Sequence, residues 1–220
     1  MRTKICLAVV IACLAAASEA PAQTCNVEKL NAHSEGEGVS ADFSSVDTSA
    51  CALGIETTVH VDGTVGVLTI EDQCGSPPDQ ITTETILPTN DVAVVVSVYD
   101  RCLATQVLSL TATGEAEELH LSNNFKTASL RAAFEGVDDS RQTVSIAIDL
   151  VWNGVGQKEH KAEHVIDNSG APKFHYAAAG TIRDAVAAGS VVIDGTDLTP
   201  LPSAEGTIER DAARELTVYR

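Results

Sequence analysis

Val92-Ala-Val-Val-Val-Ser-Val-Tyr-Asp-Arg-Cys-Leu-Ala-Thr-Gln-Val-Leu-Ser-Leu-Thr-Ala112 is the stretch that decides the fold class. Its first half is apolar at nearly every position and rich in β-branched residues, which reads as a strand buried on both faces. Tyr99-Asp100-Arg101-Cys102 supplies a polar turn, and Leu103 to Ala112 returns as a second strand. With Asp100 and Arg101 at the tip, Val94 faces Val107, Val96 faces Thr105 and Val98 faces Leu103. Such cross-strand pairs contribute roughly 0.2–1 kcal/mol each over alanine.

Outward from this hairpin the same pattern repeats. Leu53 to Val61 leads into Asp62-Gly63, and Thr64 to Ile70 leads out; Asp-Gly between alternating apolar residues is the preferred type I′ turn. That turn pairs Ile55 with Ile70, Thr57 with Leu68 and Val59 with Gly66. Upstream, Asn26 to Ser49 is polar and reads as an extended entry segment with one short strand, Val39 to Phe43. Ile81 to Leu87 is a strand that Pro88 and Asn90 bring to an end.

Downstream, Glu115 to Leu121 and Phe125 to Phe134 form a hairpin about Asn123-Asn124. Val144, Ile146, Ile148, Leu150 and Trp152 alternate along one face, the mark of a core strand. Asn153-Gly154 turns that strand and Lys158 to Ile166 returns beside it. Phe174 to Arg183, Gly189 to Asp194 and Glu205 to Arg210 read as further strands, and Ala212 to Tyr219 fits either strand or a short helix. The sum is an all-β chain, an antiparallel β-sandwich or barrel-like fold of about ten to twelve short strands.

The compartment follows from the first residues. Arg2 and Lys4, the apolar run Ile5 to Ala17, and the small residues Ala20-Pro21-Ala22 have the layout of a secretory signal peptide. Residues 1–22 are therefore read as a signal and 23–220 as a single exported domain, secreted or periplasmic. Val10-Ile11-Ala12-Cys13 loosely resembles a lipid-attachment box, but the apolar run continues past Cys13, which favours cleavage without lipid. No later stretch reaches the 18 or more apolar residues that a transmembrane helix needs.

Cleavage leaves Cys25, Cys51, Cys74 and Cys102, an even count that in an exported chain argues for two disulfides. The short spacing of a zinc site is absent. An Asp62-Gly63 turn would place Cys51 and Cys74 at a wide, hydrogen-bonded pair. The reading is therefore Cys51–Cys102 and Cys25–Cys74, which staples only the N-terminal half. The net charge of −17 makes nucleic acid and anionic membrane poor partners.

His160-Lys161-Ala162-Glu163-His164 fits H-x-x-E-H, in which two histidines bind zinc and the glutamate activates water. That chemistry requires a helix. On a strand the two histidines stand roughly 13 Å apart, from a rise of about 3.3 Å per residue. The segment reads as a strand, with His160, Ala162, His164 and Ile166 on one face and Glu163 on the other. His175 on a neighbouring strand could join His160 and His164 around a divalent metal. Asp138-Asp139 and Asp194-Gly-Thr-Asp197 offer oxygens for calcium, yet neither has the alternating loop of a calcium site. No G-x-S-x-G motif is present. One tryptophan and three tyrosines are a thin supply for a glycan platform, with Tyr99 and Tyr176 the exposed candidates.

The expectation is an exported, non-catalytic β-domain protein with a structural or binding role at the envelope or outside the cell. Its partner would be a protein or a glycan. The alternatives are a metal-binding protein or zinc hydrolase using His160, Glu163 and His164, and a glycan-binding module.

Overall fold

A computed structural model describes residues 28–75, 80–170, 172–199 and 204–219. The segment read as a signal, residues 1–22, and Cys13 and Cys25 lie outside these. Eleven antiparallel strands join in one sheet: β1 (Glu28–Asp47), β2 (Ile55–Cys74), β3 (Ile81–Asp100), β4 (Thr105–Glu115), β5 (Glu118–Leu121), β6 (Thr127–Val137), β7 (Thr143–Gly154), β8 (Glu159–Asp167), β9 (Lys173–Ile193), β10 (Thr196–Asp197) and β11 (Ala204–Tyr219). The main order is β4-β3-β2-β1-β11-β9-β7-β6-β5, with β8 and β10 also paired to β9.

The all-β expectation holds, but the strands are not short. β1, β2 and β3 each run 20 residues, β9 runs 21 and β11 runs 16. Each of these long strands belongs to two regions. One end of the sheet curls until β4 lies against β6, where Leu110 and Asp138 form a bridge and the Asp139 N–H donates to the Ser109 carbonyl at 3.1 Å.

The curled end holds the core. Val59, Val61, Val92, Val94, Val96, Leu110, Leu130, Ile146, Ile148, Leu150, Trp152 and Ile208 are its largest fully buried side chains. Alternation explains the partition: β7 buries Val144, Ile146, Ile148, Leu150 and Trp152 and exposes the residues between them, as its pattern requires. Trp152 donates its indole N–H to the Ser40 carbonyl at 2.6 Å, which satisfies its one polar atom in the interior. Glycine permits the β4–β6 approach: a Cβ on Gly136 would stand 2.7 Å from Ala112 Cβ and 2.8 Å from Ile146 Cδ1.

Several local expectations are corrected. Asp62-Gly63 is no turn. It lies mid-strand in β2, and Ile55 pairs with Asp47 and Asp100 rather than with Ile70. Gly63 serves packing, since a Cβ there would come within 3.0 Å of Leu130 Cδ2. The polar segment read as coil with one short strand is β1, continuous from Glu28 to Asp47.

Pro88 does not end its strand. β3 runs through it, and beyond Asp91 the strand has no β4 neighbour, so a residue without an N–H is tolerated at that edge. The β3–β4 hairpin exists with a shifted register: Val94 faces Ala112, Val96 faces Leu110 and Val98 faces Leu108, with an irregularity between Val98 and Tyr99. Its first strand is buried on one face only; Val95 is 43% exposed while Val94 and Val96 are inside.

Asn153-Gly154 does not reverse the chain either. β7 and β8 both pair with β9, one after the other, so residues 143–167 form one arm of a long hairpin with β9. Residues 155–158 bulge out against only Arg183 and Asp184. Arg183 straps that bulge by donating to the Gly156 carbonyl at 3.1 Å. The β5–β6 hairpin is as expected, with Leu119 opposite Leu130. Ala212 to Tyr219 is strand.

Cys51 and Cys102 are joined, as expected, with Cα atoms 6.4 Å apart. They close the open end of the β2–β3 ladder, where Ile55 pairs with Asp100. Cys74, at the other end of β2, is also disulfide-bonded.

Candidate functional site

Past the barrel the long strands run on together. Residues 81–90 of β3, 64–74 of β2, 28–36 of β1, 210–219 of β11, 173–182 of β9 and all of β8 form a six-stranded extension. No second layer of described residues covers it. Its burial pattern shows the consequence: most positions on both faces are half-buried, and β8 is exposed throughout. This open sheet is the candidate site, because a single β layer leaves two broad surfaces available for contact.

Pairing without register breaks fixes which residues share a face. On β1 the odd residues Val39, Ala41 and Phe43 point into the barrel. Their continuation is the inner face, carrying His33, Glu35 and Glu37 on β1 and Arg210 and Arg214 on β11. Opposite charges here are matched. Arg210 pairs with Glu37, Arg214 donates to Asn31 Oδ1 at 3.2 Å, and Asn31 donates to Glu71 at 3.0 Å.

The outer face carries two apolar groups, Leu30, Leu68, Ile70 and Leu87 on β1, β2 and β3 and Phe174 and Tyr176 on β9. Phe174 and Tyr176 stand parallel, with ring centroids 6.4 Å apart and an interplanar angle of 7°. Ala32 and Thr217, small residues among them, are shielded to 7% and 6% exposure on a face with no covering layer. Between these groups, on β11, stand Glu209, Asp211 and Glu215, and beyond them on β8 stand Glu159, Glu163 and Asp167, with Lys161 the neighbouring cation.

Two of these carboxyls are perturbed. Burial pushes Glu209 up, helped by the negative charges of Asp211 and Asp62. Burial also pushes Asp211 up, while Lys161 opposes the shift. Glycines make room for both: a Cβ at Gly38 would stand 3.0 Å from Glu209 Oε1, and one at Gly180 would collide with Asp211.

At the junction with the barrel, on the same outer surface, His60 sits between two carboxylates. Its Nδ1 lies 2.6 Å from Asp42 Oδ1 and its Nε2 lies 2.7 Å from Asp62 Oδ2. The Asp62 hydrogen bond raises its pKa most, burial works against this, and Asp42 adds to it, for a value of about 9. A histidine with both nitrogens donating to carboxylates is a structural cation, with no lone pair left for general base work. Sequence reading missed this cluster. The available signal was the His60-x-Asp62 spacing, which on a strand puts both side chains on one face, but the misplaced turn hid it.

The residues singled out for metal lie together on the inner face of the open sheet: His160 and His164 on β8 and His175 on β9. β8 is a strand, so His160 and His164 stand roughly 13 Å apart and Glu163 projects from the opposite face. His160 Nδ1 is 2.9 Å from Thr181 Oγ1. Among the described residues, the group of three ligand types close enough for one ion is Cys51, Asp100 and Cys102, and its two sulfurs are already joined.

The acidic pairs considered for calcium serve as local caps. Asp194 Oδ1 accepts from the Ser145 N–H at 2.7 Å, Asp197 Oδ1 from the Thr199 N–H at 2.9 Å, and Asp138 Oδ1 from the Gln142 N–H at 2.8 Å. Tyr99 lies half-buried near the barrel end of β3, away from Tyr176. Among the described residues no helix is long and apolar enough to cross a membrane. Compared with protein-family models, curated proteins and solved structures, the chain has no match.

Proposed function

We propose that this is an exported, non-catalytic β protein that binds a macromolecular partner through its open sheet. One observation carries the reading: five strands leave the packed barrel together, β8 joins them at one edge, and the six form a single layer. The barrel alone accounts for the buried core. A half-buried extension with exposed apolar and charged side chains adds surface rather than core, and surface of that kind is what an interface uses. Its edges are protected against indiscriminate strand addition, by Pro88 on β3 and by alternating charges along β8, which favours recognition through the faces.

The test is photo-crosslinking in cells that export the protein. A benzophenone amino acid at Leu87 or Val165, both on the open sheet, should give discrete adducts. The same group at Val151, exposed on the barrel wall, should give none. Adducts at Val151 with none at Leu87 or Val165 would reject the open sheet as the contact surface.

A further inference from the structure

We infer that the outer face of the open sheet docks a basic, extended protein segment; this rests on the open sheet being the binding surface. The argument is charge and shape together. The two faces share the same strands yet differ in charge. On the inner face Lys29, Lys173, Arg210 and Arg214 balance Glu35, Glu37, Glu71 and Glu84. On the outer face, among the described residues of these two strands, the six β11 and β8 carboxylates named above have Lys161 as their one cation.

The β11 carboxylates stand between two apolar groups, Leu68, Ile70 and Leu87 on β2 and β3 to one side and Phe174, Tyr176 and Val165 on β9 and β8 to the other. Leu87 is 46% and Val165 is 41% exposed, on the two edge strands, and the parallel Phe174–Tyr176 rings lie beside Val165. Exposed apolar side chains beside unbalanced charge are what a protein interface uses, and the sign of that charge selects the partner's sign. Burial of Glu209 raises the cost of its charge in the free protein. A lysine or arginine brought against it relieves that cost, so the perturbed carboxyls favour a cation over a neutral ligand. Gly36 and Gly66 face each other across β1 and β2 without side chains, which leaves room for a chain lying across those strands.

Three proteins and two probes test this. The probes are a labelled peptide of alternating lysine and leucine, and a labelled glucosamine oligomer as the cationic glycan. Wild type should bind the peptide, more weakly as salt rises. The variant E209Q/D211N/E215Q should bind it at least about tenfold more weakly, while E117Q/E118Q/D139N, which loses the same charge elsewhere, should stay within about twofold of wild type. Far-UV circular dichroism and melting establish that both variants fold. Equal weakening in the two variants would mean bulk attraction and would overturn the proposal, as would no weakening in either. Preferential binding of the glucosamine oligomer, with the same carboxylate dependence, would also overturn it while leaving the open sheet as the binding surface. Adducts at Leu87 or Val165 without peptide binding would overturn the basic segment alone.

Discussion

His60 offers the sharpest quantitative expectation. Its pKa stands at about 9 against an ordinary 6.5, chiefly because of the Asp62 hydrogen bond. At about 1.36 kcal/mol per pKa unit this gap sets a ceiling of roughly 3 kcal/mol. The side chains are far from dry, with His60 32%, Asp62 38% and Asp42 71% exposed, so solvent screening discounts the contribution to about 1–2 kcal/mol. The sign follows from the raised value. The folded protein holds the proton more tightly than the unfolded chain, so this stability is fully present below about pH 6.5 and is lost as pH rises through about 9. The perturbation is His60→Gln, and the assay is urea unfolding of both proteins from pH 6 to pH 10. The difference between them should be about 1–2 kcal/mol at pH 6, or about 3–6 °C in melting temperature, and should shrink towards zero at pH 10. A difference that stays constant across that range, or grows with pH, would refute the charged bridge between β1 and β2.

Three further outcomes follow from the barrel and its staple. Trp152→Ala should cost about 3–5 kcal/mol because it empties a fully buried site and orphans the Ser40 carbonyl, whereas Val151→Ala next to it, 44% exposed, should cost under about 0.5 kcal/mol by the same melt. Replacing Cys51 and Cys102 together by serine should lower stability by about 4 kcal/mol on chain-entropy grounds for a separation of 51 residues, measured without reductant. Gly136→Ala should cost about 1–3 kcal/mol in a urea titration, since the added methyl overlaps Ala112 and Ile146 at the seam between β4 and β6.

Where one face of a strand is dry and the other wet, the sequence declares it. β7 is legible from Val144 to Trp152 for that reason, and the hairpin at Asp100 is legible as a hairpin. Its register was not, because a turn sequence permits several tip lengths while the pairing is settled by Leu108, Leu110 and Ala112 meeting the valines of β3. Turn chemistry is permissive in the same way at Asp62-Gly63 and Asn153-Gly154. Gly63 is small to admit Leu130, and Asp62 is acidic to hold His60. The open sheet was least legible of all. Residues 29–36 have no second layer of described residues over either face, so they carry no apolar alternation, and a strand without alternation looks like coil until its neighbours supply the hydrogen bonds. The histidine face of β8 and β9 was read correctly as a strand face, and only coordinates could show that its ligand atoms do not converge.

The open sheet exists only if β2 runs straight through Asp62-Gly63. Spin labels at Glu56 and Thr69 measure this directly by pulsed electron paramagnetic resonance, because those two residues would stand opposite each other if that dipeptide turned. A continuous strand separates them by about 40 Å, from roughly 3.3 Å per residue, whereas a hairpin would bring their backbones to about 5 Å. A single distribution near 40 Å is the expected result; a short distance under about 15 Å would contradict the long strands, and with them the surface on which the proposed binding depends.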